Sequence, residues 1–233
     1  MLFQQGAHRK YKHHFLTATL LSFVAGVVNV YGFLSVGRLT TSVTGYFANF
    51  MDHFWTSSFA EKGLFFSFFI SFFAGAFVSN IVIESSAVRA KWNGFVRAIL
   101  LEILLLCFVV WVSDKWVLSR PERIALLLLF SMGLQNAMVT KISDSLVRTT
   151  HLTGLFTDLG IDVAQLFFVQ FSHRKKMLAR IKLRLTIISS FFFGGLFGGS
   201  LYDSLHQLIL IFPIVILVGS VWFNQWYQRK SVL

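Results

Sequence analysis

Charge is scarce in this sequence. Only 13% of its 233 residues are charged, against 55% hydrophobic, with 28 phenylalanines. A soluble domain could not hide that much apolar surface. Cysteine is almost absent: Cys107 stands alone, which excludes an internal disulfide, and its apolar setting predicts packing as a small hydrophobe. Acids are few, 10 against 21 Lys and Arg, giving a formal charge of +11. In a soluble protein such a surplus signals nucleic acid. Here the basic residues fall between apolar runs, as on cytoplasmic loops of membrane proteins, so no nucleic-acid partner is expected. Short alternating segments are missing, which excludes a membrane β-barrel. Missing too are a His-x-Glu pairing, a Gly-x-Ser-x-Gly elbow, a phosphate-binding Walker loop and a Cys–His cluster. The histidines His8, His13 and His14 sit in a basic tail without acidic or cysteine partners. No enzyme, cofactor or metal is expected.

What remains is a set of long apolar runs, at about 15–36, 64–83, 95–113, 123–140, 185–202 and 207–224. Runs of about 18 residues or more read as membrane spans, and such spans must be helical to satisfy their own backbone hydrogen bonds. The expectation is an all-α, polytopic transmembrane protein with the lipid bilayer as its surroundings. The first run follows the basic stretch MLFQQGAHRKYKHH, is longer than a signal-peptide core and lacks an Ala-x-Ala site, so it reads as a retained span.

Two further segments, about 42–59 and 150–172, are helical in pattern but more polar. They share the skeleton Thr-Thr-x-x-Thr-Gly-x-Phe: Thr40, Thr41, Thr44, Gly45 and Phe47, then Thr149, Thr150, Thr153, Gly154 and Phe156. LLSFVAGVVN, Leu20 to Asn29, resembles LLLFSMGLQN, Leu127 to Asn136. SFFAG, Ser71 to Gly75, resembles SFFFG, Ser190 to Gly194. Three matched blocks in one order predict an internal duplication, with a first repeat over 1–113 and a second over 114–233, together one membrane domain. The fold is then six firm spans plus two Thr-Gly helices that are broken, re-entrant or spanning. If they do not cross, each half has three spans and the repeats are inverted, as in many transporters. If they do cross, each half has four spans and the repeats run parallel. In both cases the N-terminus, the basic run Arg174 to Arg184 and the C-terminal Arg229–Lys230 lie on the cytoplasmic side. That basic run reads as a loop against anionic lipid.

A Thr-Gly pair at a helix start has a use. Threonine caps free N–H groups, and glycine lets another group approach them. Helices starting at Thr44 and Thr153 inside the protein would turn their positive dipole ends toward a negative group. Arg38 and Arg148 precede the two pairs and either complement such a group or sit among lipid headgroups. Asp158 and Asp162 are four apart and share a helix face. They carry proton or cation coupling, or else lie near an interface paired to Lys141 or Arg148. Asn29, Gln135 and Asn136 are amides in apolar spans, able to hold a substrate or a neighbouring helix. Glu102 reads as paired to Arg97 or Lys91. Gly194, Gly195, Gly198 and Gly199 form a face for close helix packing. Pro213 is expected to kink or open the last span.

The stretch MGLQNAMVTKISDSLVRTTHLTGLFTDLGIDVAQ, residues 132–165, closely resembles the YoaK-like family of bacterial membrane proteins, as does FVAGVVNVYGFLSVGRLTTSVTGYFAN, residues 23–49. The resemblance covers nearly the whole chain and implies a multi-pass protein of the bacterial inner membrane. One departure is Ser42-Val43-Thr44-Gly45-Tyr46, where relatives carry a His-Met-Thr-Gly-Asn-like sequence. His151 supplies the histidine counterpart only in the second half. The combined expectation is a small secondary transporter for a small polar or anionic solute, bound by Asn29, Thr44, Gly45, Gln135, Asn136, Arg148, Thr150, His151, Thr153 and Gly154. Asp158 and Asp162 would be the coupling groups. A passive channel and a membrane scaffold or sensor are the alternatives, and a homo-oligomer is allowed.

Overall fold

The computed structural model describes residues 11–56, 58–89, 94–112, 119–142, 152–168 and 171–230. Among them lie eight α-helices and no strand: α1 Tyr11–Val36, α2 Val43–His53, α3 Phe59–Arg89, α4 Gly94–Trp111, α5 Pro121–Ile142, α6 Leu152–Gln165, α7 Phe171–Leu205 and α8 Ile211–Lys230. A 3₁₀ turn, His206–Leu210, joins the last two. Five apolar windows are long enough to cross a membrane: Ala18–Val36, Phe59–Ser86, Gly94–Trp111, Pro121–Lys141 and Arg174–Gln225. The fifth runs through α7, the turn and α8. By contrast α2 has 11 residues and α6 has 14. At about 1.5 Å per residue both fall well short of a bilayer core of about 30 Å.

Two helix pairs make the frame. In the first, α1 lies parallel to α7: Gly26 faces the Phe191 carbonyl and the Gly195 amide, Gly194 faces the Phe23 carbonyl, and Gly198 faces Val27 and Val30. In the second, α3 lies parallel to α5. Gly75 faces the Phe130 carbonyl, Gly133 faces that of Phe72, and Ser71 donates to the Leu126 carbonyl at 2.6 Å. Lys141, at the far end of α5, reaches Asn80 and Glu84 on α3. All four helices thus carry a Phe-x-x-Gly unit, and in each pair the two units meet reciprocally. A β-carbon at any of the four glycines would collide with the opposing carbonyl. Only glycine lets the backbones come this close. Gln135 of α5 donates to the Leu21 carbonyl of α1 at 2.8 Å and ties the pairs together. Gly32 of α1 approaches Leu128 of α5, so these two helices run antiparallel.

Against this frame α4 packs on α3, α5 and α8, and α8 also touches α1. The short helices are accessories, α2 lying on α3 and α6 on α7. Three expectations need correction. Pro213 does not open the last span: it is the third residue of α8, where a helix has no intrahelical N–H bond to lose. The break lies earlier, at His206, whose φ is +46°. Cys107 is exposed on the outward face of α4 rather than packed. Arg174 to Arg184 is the first part of α7, not a loop.

Candidate functional site

The site begins with the turn after α1. Gly37 adopts φ +66°, a conformation that side chains resist, and the chain reverses there. Residues 38–42 then run back along α1, and Gly32 supplies the room: a β-carbon on it would meet the Thr40 methyl and the Arg38 carbonyl. Thr40 Oγ1 donates to the Val28 carbonyl at 3.3 Å. One oxygen, Asn29 Oδ1, accepts the Thr40 N–H at 3.2 Å, the Thr41 N–H at 3.3 Å and the Thr41 hydroxyl at 2.8 Å. The returning strand is therefore held about two turns back from the end of α1, and α2 starts at that depth.

The start of α2 differs from expectation. The helix begins at Val43 with Ser42 as N-cap, and the Ser42 side chain makes no capping hydrogen bond. Thr44 is inside the first turn instead of capping it. This end opens on a cavity of about 480 Å³ lined by Thr41, Ser42, Val43, Thr44, Phe72, Asn136, Leu152 and Thr153. The first two residues of α6 are among these, so the N-terminal ends of the two short helices face one space. The buried Oδ1 of Asn136 has no hydrogen-bond partner among the described residues.

Of the residues expected to bind a solute, Thr44, Asn136 and Thr153 meet at this cavity. Gly154 follows in the first turn of α6. Gly45 lines a neighbouring cavity of about 150 Å³ with Arg38, Tyr46 and Asn49. Asn29 and Gln135 spend polar atoms on the fold, Asn29 clamping the turn and Gln135 bridging α5 to α1. Arg148, Thr150 and His151 lie outside the described residues. Phe72, Leu152 and Ser42 were not anticipated. Ser42 and Leu152 are the unassigned positions inside the two Thr-Gly motifs, while nothing in the local sequence separates Phe72 from an ordinary span residue.

The two acids of α6 belong to an ion cluster. Asp162, 4% exposed, pairs with Arg180 at 3.0 Å and with Arg184, and Arg184 also reaches Asp158 at 3.3 Å. Of the two expected partners, Lys141 contacts Asn80 and Glu84 instead, and Arg148 lies outside the described residues. The sequence carried a signal for the cluster. Arg180 and Arg184 repeat the four-residue spacing of Asp158 and Asp162, so two antiparallel helices can match both pairs. Glu102 is not paired with Arg97 among the described residues. It is fully buried, and neither carboxylate oxygen has a hydrogen-bond partner among the described residues, while Lys91 lies outside them. Among the described residues no group of His, Cys, Asp or Glu could hold a metal ion.

A family model described as "Protein of unknown function (DUF1275)" matches residues 17–223. The chain is 25% identical over 204 residues to the UPF0700 transmembrane protein YoaK of Bacillus subtilis (strain 168), covering 86% of this chain and 89% of that protein. No solved structure matches. The relative and the apolar helices together identify a multi-pass membrane protein.

Proposed function

We propose that this chain, which belongs to the DUF1275 family, is a small secondary transporter whose solute site is the cavity between the starts of α2 and α6. The observation that carries the reading is that cavity, about 480 Å³ in volume, lined by two helix N-terminal ends and by Asn136, whose oxygen has no partner among the described residues. Helix starts favour a negative or hydrogen-bond-accepting group, and the Asn136 carbonyl favours a donor. A small polar or anionic metabolite carrying both fits.

The arrangement of helices supports six spans and an inverted duplication, 1–113 and 114–233. Helices α1, α3, α4, α5, α7 and α8 are the spans. The short α2 and α6 enter from opposite sides and return, each folding back on the long helix after it. The matched pairings, α1 with α7 and α3 with α5, are what a twofold relation between halves produces. Inverted repeats with broken or half-helices at the midplane recur in transporters, and that step is fold analogy. The ends of α3 and α5 and the start of α7 carry the basic residues, which supports a cytoplasmic side there and cytoplasmic termini. The bacterial source of the relative supports a place in a bacterial cell membrane.

The test uses Thr44→Cys and Thr153→Cys in a Cys107→Ala background, in intact membranes, with a small water-soluble thiol reagent. Both positions should label. A dry response at both would overturn the reading. In liposomes, saturable, gradient-driven uptake from a panel of labelled acetate, lactate, glycine and glycerol supports a carrier, while rapid, non-saturating flux replaces it with a channel.

A further inference from the structure

The smaller cavity, beside the turn after α1, has a chemistry of its own. Its lining includes Arg38, Ser42, Tyr46 and Asn49, and no acid is among the residues that line it. The Arg38 guanidinium lies over the rings of Phe65 and Phe68, 5.6 and 5.7 Å from their centroids, and no carboxylate among the described residues pairs with it. Tyr46, 3% exposed, is held by Phe68 at 4.8 Å between ring centroids, yet its hydroxyl has no hydrogen-bond partner among the described residues. A fixed cation, a buried hydroxyl without an acceptor, an amide and a serine hydroxyl thus surround about 150 Å³ of space.

The second half shows what this corner lacks. At the place of Asn49 stands Asp158, and there the acids are answered by Arg180 and Arg184. In the first half Asn49 puts no acid at that position, and Asp52, near the place of Asp162, is not among the residues that line the cavity. A guanidinium on two aromatic faces is positioned but not neutralised, because ring quadrupoles supply no counter-charge. Its planar donors match an oxyanion.

We propose that this cavity binds a small oxyanion, a carboxylate or phosphate group, through Arg38 with Tyr46 and Asn49 completing the contacts. The site adjoins the larger cavity, Ser42 lining both, and does not require that the protein transport anything. If it does transport, this site gathers anions at the α1 end of the bundle, beside the start of α2. The oxyanion belongs to a dissolved solute or to a lipid headgroup, and the two sources separate experimentally.

The test follows the rate at which phenylglyoxal modifies Arg38 in the purified full-length protein, mapped by peptide mass spectrometry, with Arg120 and Arg123 as surface controls. In dodecylmaltoside without lipid, acetate or inorganic phosphate should slow modification of Arg38 about tenfold near saturation. Acetamide at the same concentration should not. Asn49→Asp, which returns an acid to the corner, should abolish protection by acetate, and Tyr46→Phe should weaken it. Protection by added phosphatidylglycerol alone would assign the oxyanion to lipid. Equal slowing at Arg38 and the control arginines, or none in any arm, would overturn the site. The wild-type comparison decides the matter even where a variant fails to fold.

Discussion

Replacing Asn29 with alanine deletes one oxygen and three hydrogen bonds. Two of the donors are backbone N–H groups of Thr40 and Thr41, residues 0% and 8% exposed. Each buried donor left unpaired costs about 1–3 kcal/mol, so the pair amounts to about 2–4 kcal/mol once local relaxation is allowed. The loss is local, because the frame of α1, α3, α5 and α7 does not use this oxygen. At about 1.4 kcal/mol per factor of ten, amide exchange at Thr40 and Thr41 should accelerate roughly 30- to 1,000-fold. Hydrogen–deuterium exchange with peptide mass spectrometry reads this directly, with peptides from α3 and α5 as unchanged references. Asn29→Asp keeps an acceptor and should retain most of the protection. Asn136→Ala removes an oxygen with no partner and should leave the frame as stable as before. Exchange within threefold of wild type in Asn29→Ala would refute the account of how α2 is held at depth.

Two further outcomes follow from contacts already described. Gly75→Ala must push a β-carbon into the Phe130 carbonyl and should cost about 1–3 kcal/mol, whereas Gly160→Ala, with nothing within 4 Å, should gain up to about 1 kcal/mol from helix propensity; thermal melting of detergent-solubilised protein would separate them, and equal melting points would contradict the helix packing. Asp162→Asn should destabilise by about 1–3 kcal/mol because it takes Arg180's acid away and leaves Arg184 only Asp158, while Asp158→Asn, whose side chain is 53% exposed, should cost no more than about 1 kcal/mol; the same melts check the order, and a larger loss for Asp158→Asn would reverse the assignment of the cluster's centre.

The long spans were legible in the sequence because apolar length alone decides them. The similar sequence blocks around Gly26 and Gly133, and around Gly75 and Gly194, were legible, but not the partners of their glycines: that Gly26 meets α7 and Gly75 meets α5 is a tertiary fact with no local signature. The start of α2 at Val43 lies one residue from the expected Thr44, while the absence of a capping bond at Ser42 was not foreseeable. The Asp–Arg cluster was missed for a specific reason. A dense basic run reads as a headgroup-facing loop, and that reading hides the four-residue spacing of Arg180 and Arg184. Asn29 was legible as an amide in an apolar span, but its partners depend on a reversal at Gly37 that only the assembled turn reveals.

The reciprocal glycine crossings constrain how this molecule can move. Each crossing locks one helix from residues 1–113 to one from 114–233, α1 to α7 and α3 to α5, with carbonyls seated on bare α-carbons. The two halves of the chain are therefore not two bodies. A rocking of one half against the other would have to break both crossings at once. The bodies free to shift are the interlocked pairs themselves, sliding where Gln135 bridges them, and the short helices riding on their flanks. Any opening of the cavity to alternate sides belongs to those joints.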